Sequence, residues 1–303
     1  MTETNSAPGY APEEEEPLPP WWAFWQSDTF QRLIRHRAFM AGAILFSIIA
    51  VVALLAPWIT KVDPNALSIR NKFKPPSWDF PFGTDNFGRS QLSRVLYGAR
   101  LSLGIGLGVV ILNAVFGVLL GAVAGYVRKL DGPLMRVADA FMAFPSILLA
   151  LGIAAALGPS SMTAVIALSV VYIPRTARIV RASVLVVREM EFVQAAMASG
   201  ASHYRIVRKH VLPNCMAPLI VQLSFIFAYA LLSEAVLSFL GLGAAPPTPT
   251  WGNIIAEGRT YIREAEWITL IPGIVLAVTV LALNLLGDGL RDVLDPRLKV
   301  QQG

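Results

Sequence analysis

Cysteine is nearly absent from this sequence: 303 residues include one, Cys215. A single thiol excludes an intramolecular disulfide and any cysteine-cluster metal site. Histidine is scarce too, with only His36, His203 and His210. His203 and His210 stand seven apart and would share a helix face, which reads as a surface pair, and no metal site is expected. Charge is the third scarcity, at 15% of residues. No Asp, Glu, Lys or Arg occurs in 38–60, 101–127, 140–174, 211–233, 235–256 or 267–287. The shortest of these runs has 21 residues, beyond the ~18 apolar residues that mark a membrane-spanning helix. The alternating segments of about 10 residues expected of a membrane β-barrel are lacking. The phosphate-binding pattern GxxxxGK[ST] is lacking as well, so the chain itself is not expected to hydrolyse ATP. No nucleophile, His and acid fall at a common depth, which argues against a membrane hydrolase. No catalytic residue is assigned.

What is abundant fits these absences. Hydrophobic residues make up 55% of the chain and the mean hydropathy is +0.57. The sequence reads as an all-α membrane protein with six transmembrane helices. The net charge of +5 then reports Lys and Arg on the inner side of a membrane, and no nucleic-acid partner is expected.

Residues 1–20 hold five prolines and the acidic run Glu13–Glu16, and are expected to be a disordered tail. Trp21, Trp22, Phe24 and Trp25, followed by Phe30, Leu33 and Ile34 among Arg32, Arg35 and Arg37, suit an amphipathic helix over 21–37 lying at the lipid headgroups. The first apolar run lacks a cleavage pattern and is long enough to span, so 38–60 is expected to be the first transmembrane helix. A polar, Pro-rich loop is expected over 61–98, and a second span over 101–127. The 140–174 run breaks at Gly158-Pro159-Ser160-Ser161, a turn signal that predicts a third span near 134–157 and a fourth near 161–182. The fifth span is expected over 216–242 and the sixth over 267–287. A charged tail, 291–303, closes the chain. Segments on the side of both termini carry 16 Lys and Arg against 9 on the other side, so both termini are expected in the cytoplasm and 61–98 outside.

Certain polar and small residues stand out against this background. Gly104, Gly108, Gly117, Gly121 and Gly125 recur at four-residue spacing in the second span. That spacing predicts a stripe on which a neighbouring helix packs closely, within this chain or from a partner. Glu234 stands alone between two uncharged runs. Ionisable groups at membrane depth mark a pathway or a buried hydrogen-bonded position, and Ser233 and Ser238 are its nearest donors. Asn113 and Asn284 are candidates for interhelical hydrogen bonds or for the pathway. Residues 188–213 return to water with helical character, break at Gly200 and stop at Pro213. Ser202 can cap a second short helix after the break. Small and apolar residues exposed on such a loop call for a protein partner.

Gln194-Ala195-Ala196, then Gly200, then Leu212-Pro213 resembles the EAA loop of ATP-binding-cassette importer permeases, with the loop's spacing kept. Gln194 stands where the family carries Glu, and His210 where it carries an apolar residue. Glu191, one turn earlier, can partly replace the missing carboxylate. Gly83-Thr84-Asp85-Asn86-Phe87-Gly88-Arg89, Leu96 to Leu103, Ser233 to Gly243, Trp251-Gly252-Asn253 and Asn284 to Asp292 resemble the oligopeptide/dipeptide subfamily, in particular its second permease subunit.

The resemblance implies the type I importer permease fold in a bacterial cytoplasmic membrane. It implies one half of a pathway for peptides, with a second, homologous permease subunit as partner. An extracytoplasmic substrate-binding protein and two ATP-binding domains that hold ATP and Mg complete the implied assembly. Glu191, Gln194, Ala195, Ala196, Gly200, Tyr204, Leu212 and Pro213 are the implied ATPase-coupling residues, so the loop faces the cytoplasm. The alternative reading is a stand-alone secondary transporter or channel. That reading calls for an inverted repeat or a chain of intramembrane charges, and the sequence offers neither.

Overall fold

The computed structural model describes residues 28–294. The tail 1–20, the aromatic run 21–27 and the end of the charged tail, 295–303, fall outside the described residues. Among the described residues the chain is helical, and its only β pairing is an isolated bridge between Thr84 and Ser90.

The chain enters through α1 (Asp28–Arg35), which buries Leu33 and carries Arg32 and Arg35 in its last turn. His36 then separates it from α2 (Arg37–Leu54) and caps the new helix, its Nδ1 accepting the Phe39 N–H at 3.3 Å. The outer face of α2 stays apolar and exposed at Ile44, Ile48, Val51 and Leu54, as a helix bordering lipid requires. Its inner face meets α11 (Trp267–Leu294) backbone to backbone. A Cβ on Gly42 would lie 2.6 Å from the Ala282 carbonyl oxygen, so only glycine permits that approach.

The second long helix, α3, runs from Gln91 to Tyr126, 36 residues and about 54 Å. The expected loop therefore ends at Ser90, whose side chain accepts from the Ser93 N–H, and the helix begins about ten residues earlier than the charge pattern suggested. The charge at Arg94 belongs to the helix because Glu257 neutralises it there. In mid-span the helix widens through a π-helical turn, Asn113–Gly117.

The expected third span is a bent pair. Helix α4 (Arg128–Ala143) and helix α5 (Ser146–Leu157) meet at 92°. Phe144 is extended because Pro145 follows it, and Pro145 has no N–H to continue the ladder. Among the described residues five helices are long and apolar enough to cross a membrane, or six when the bent pair counts as one span.

Gly158, at φ +86°, and the Ser160 cap open α6 (Ser161–Val187). Then come α7 (Glu191–Ala198) and α8 (His203–Ile206), which continues through a second π-helical turn, Val207–Val211. The remaining long helix is α9 (Met216–Phe239), followed by the short α10 (Trp251–Gly258) before α11.

Three apolar clusters stack along the bundle. One gathers Val95, Leu231, Trp251, Ile254, Ile268 and Leu283 where α3, α9, α10 and α11 meet. The middle one sets Ile105 and Val109 of α3 against Ala150, Leu168 and Ile226. The third places Val180, Val184 and Val187 of α6 on Val193, Ile206, Val211 and Leu219. This last cluster fastens the loop after α6 to the membrane helices.

Candidate functional site

Between α6 and α9 the chain folds into a small helical hairpin. Gly200 turns it at φ +76°, a left-handed conformation that a Cβ disfavours. Ser202 caps α8 by accepting from the Arg205 N–H. Val193, Ile206 and Val211 are buried toward α6. The opposite face is open: Glu191, Gln194, Ala195, Gly200 and Pro213 are exposed, and Tyr204 is 72% exposed. Ala196 and Leu212 are half-buried, and Ala196 packs against the loop's own core. Gln194 turns its amide inward, donating to the Arg188 carbonyl oxygen at 3.1 Å, so it holds the loop against the end of α6. Among the described residues Glu191 has no side-chain partner, and it lies on the open face one turn earlier. Between α8 and the inner part of α3 lies an apolar groove of about 960 Å³. Tyr126 and His203 bridge it, with the hydroxyl 2.8 Å from Nδ1.

The glycine stripe of α3 divides into two parts. Cβ atoms on Gly117, Gly121 and Gly125 would lie 2.6 Å from Thr176, 2.5 Å from the Ala177 carbonyl oxygen and 2.8 Å from Val184. These three meet α6 within the same chain. Gly108 meets Val165 at 3.3 Å. Gly104 meets no neighbour within this chain: nothing lies within 4 Å of the Cβ it would carry. The outer close contact is made by Gly106, against Phe227 and Leu231 of α9.

Asn113 is fully buried in the π-helical turn. Its amide donates to the Val109 carbonyl oxygen at 2.9 Å and its oxygen accepts from Thr176 Oγ1 at 3.2 Å, joining α3 to α6. Asn284 is half-exposed on α11 and its side chain makes no hydrogen bond among the described residues, so within this chain it joins no second helix.

Glu234 is fully buried near the C-terminal end of α9. Ser238 Oγ donates to its Oε1 at 2.7 Å and Ser102 Oγ to its Oε2 at 3.0 Å. The network extends through Thr250, which donates to Ser238, and through the Trp251 N–H, which donates to Ser102. One carboxyl group thus ties α3, α9 and the start of α10. Ser233 serves a different bond, with the Tyr172 hydroxyl at 2.8 Å. The sequence marked Glu234 but gave no sign of Ser102, which lies 132 positions away.

A second cluster went unnoticed in the sequence. Asp85 is 2% exposed and accepts from Arg89, while Arg89 and Arg94 both donate to Glu257 at 2.6–3.0 Å. The pairs pin the loop before α3 to α3 and α10. Arg94 is completely buried, and its Nε and Nη1 have no hydrogen-bond partner. Only the crowding of Asp85, Arg89 and Arg94 at the end of the loop hinted at it. At the other end of the molecule, Arg178 pairs with Asp139, and Arg181 pairs in two-pronged fashion with Asp131.

Comparison with known proteins places these features in a family. Residues 115–300 match the model for "Binding-protein-dependent transport system inner membrane component", and residues 23–76 match that for the "N-terminal TM domain of oligopeptide transport permease C". A protein of Brucella abortus biovar 1 (strain 9-941), named as a peptide transport system permease, is 57% identical over 90% of this chain and 92% of its own length. The di/tripeptide transport system permease protein of Pseudomonas aeruginosa (strain UCBPP-PA14) is 44% identical over 99% of both chains. The dipeptide transport system permease protein of Escherichia coli (strain K12) is 41% identical over 95% of this chain and 96% of its own. Among solved structures, a chain of the MetNI methionine ABC transporter in an inward-facing conformation aligns with a TM-score of 0.55. The two are 21% identical over 66% of this chain and 96% of that one, a likeness of fold.

Proposed function

The chain belongs to the family of binding-protein-dependent transport system inner membrane components, multi-pass proteins of the bacterial plasma membrane, and we propose that it forms half of the pathway of an ATP-driven peptide importer. The names of relatives at 41–57% identity support peptides as the cargo. ATP hydrolysis then falls to partner chains, since this one lacks a phosphate-binding loop. A second, similar permease, two ATP-binding domains and an outer binding protein complete the assembly. Both termini and the loop 188–213 face the cytoplasm, where the ATPase meets Glu191, Ala195, Gly200 and Tyr204.

One observation carries this reading: the loop after α6 is anchored on its inner face and open on its outer face. Val193, Ile206 and Val211 bind it to α6 and α9, so a push on the open face is delivered to both helices. The ATPase can shift the equilibrium between pathway states only through contacts that differ between them. The open face of the hairpin supplies such contacts. Gln194, engaged with Arg188, stiffens the hairpin, and Glu191 takes the charged contact.

Co-purification tests the assembly. The intact complex should retain ATPase subunits in fixed ratio and take up dipeptides when supplied with the binding protein. Gly200→Trp should insert in the membrane yet lose both the ATPase and uptake. Normal assembly and uptake by that variant would overturn the coupling role. A chain that moves solute without any ATPase would be a secondary transporter.

A further inference from the structure

The second half of α6 and its C-cap carry an arginine ladder: Arg175, Arg178, Arg181 and Arg188. Three of the four are engaged. Arg181 pairs with Asp131, Arg178 with Asp139, and Arg188 with Glu189 and the Gly125 carbonyl oxygen. Arg175 has no such partner: among the described residues no carboxylate lies within 4 Å of it. Its guanidinium sits 5.9 Å from the centre of the Tyr172 ring and its side chain is exposed.

Its depth is fixed by its neighbours. Thr176 donates to Asn113 and meets Gly117, both in the middle of the uncharged run 101–127. Asn113 lies twelve residues from Leu101 and fourteen from Val127, so about 18 and 21 Å from the two ends of that run. One turn away, Tyr172 bonds Ser233, the residue before Glu234. Arg175 is therefore near the middle of a hydrocarbon layer about 30 Å thick. An exposed guanidinium at that depth is costly against lipid, and such residues face a water-filled cavity or an anionic partner. A guanidinium without a carboxylate partner at that depth forms a site for a carboxylate.

We propose that Arg175 lines the translocation pathway and contacts the carboxylate of the passing solute. The inference rests on the reading of the chain as a peptide-importer permease and names the chemistry of its pathway. A peptide with a free C-terminus carries the required anion. From Arg175 the next cation inward is Arg178, half-exposed and already paired with Asp139, so the anion is passed to a weaker position and released. Binding strong enough to guide and weak enough to let go is what a pathway needs.

The test uses the full complex reconstituted in liposomes with its binding protein. Uptake of a dipeptide with a free carboxylate is compared with uptake of its amide. Arg175→Gln should slow the free acid about tenfold, the loss of one charge-assisted hydrogen bond, and slow the amide less than about twofold. Arg175→Lys should retain most uptake, and ATPase stimulation by the binding protein should persist in both variants. With Cys215 replaced by Ala, Arg175→Cys should react with a membrane-impermeant thiol reagent, more slowly while peptide is supplied. Unchanged free-acid uptake by Arg175→Gln, or no labelling in any state, would overturn the inference. Disassembly of the complex by Arg175→Gln would also overturn it, since the guanidinium would then be a contact between the two permeases. A wild-type complex that moves no peptide overturns the importer reading itself, which the wild-type lane alone reveals.

Discussion

Glu234 has two hydroxyl donors and no cation, a combination that makes its role one of shape and hydrogen bonding. Its oxygens hold Ser102 and Ser238, and those hydroxyls in turn receive the Trp251 N–H and the Thr250 hydroxyl. Glu234→Gln keeps the size and one acceptor oxygen, and serine hydroxyls can rotate to accept from the new amide. Uptake and thermal stability of the complex should stay near wild type. Glu234→Ala strands the hydroxyls in a dry site, at a cost of roughly 1–3 kcal/mol, visible as a lower melting temperature and weaker assembly. Loss of uptake by the Gln variant in a stable complex would show that the charge itself is used. Asn113 and Glu234 were legible in the sequence because each is a lone polar residue in an apolar run. Ser102 and Thr250 were not, since a serine or threonine in such a run is ordinary until a distant carboxylate is brought to it. Arg94 was misread for a related reason: its charge marked it as loop, whereas Glu257, 163 positions later, lets it be buried inside α3.

At the scale of the element, the glycines of α3 offer an internal control. Gly121→Ala sets a methyl 2.5 Å from the Ala177 carbonyl oxygen, a backbone atom that cannot step aside, so α3 and α6 must part. Assembly and expression should fall sharply, by the 1–3 kcal/mol typical of overpacking or more. Gly104→Ala adds the same methyl where nothing lies within 4 Å. It should leave assembly unchanged or gain up to about 1 kcal/mol of helix propensity. Equal effects of the two changes, read by detergent-stability assays of the purified complex, would refute the packing argument. Spacing alone grouped Gly104 with the rest of the stripe, but within this chain the contact with α6 runs from Gly108 to Gly125 and stops short of Gly104. The hairpin after α6 makes a complementary case. At Gly200 space is free, so strain alone opposes a side chain. Gly200→Asn should therefore assemble with the ATPase better than Gly200→Val, because Asn enters the left-handed region far more readily than a β-branched residue.

The whole molecule is a set of long helices held at both ends by ion pairs, with apolar packing between. Most of this arrangement was legible from the uncharged runs, because the bilayer imposes a length on each span. The third span was the exception. Its sequence shows apolar residues on both sides of Pro145, and nothing local says that the two halves meet at 92°. Pro145 breaks the helix there, and Arg178 and Arg181 of α6, by pairing with Asp139 and Asp131, tie the α4 half to α6. Both pairs join the same two helices, α4 and α6, and form a latch that any movement of α6 must carry or break. Arg181 is the informative member, since its two-pronged contact with Asp131 is only 25–29% exposed and a guanidinium fork is specific in direction. Arg181→Asp should leave two carboxylates facing each other and release α4 from α6. Asp131→Arg should do the same with two guanidinium groups. The double exchange restores opposite charges and should recover a large part of assembly and uptake, with a coupling of about 1 kcal/mol or more between the sites. The measurement is the stability of the purified complex for all four combinations. If the double variant is as impaired as the sum of the single ones, the two side chains do not act as a pair, and the bend between α4 and α5 is fixed by Pro145 and apolar packing alone.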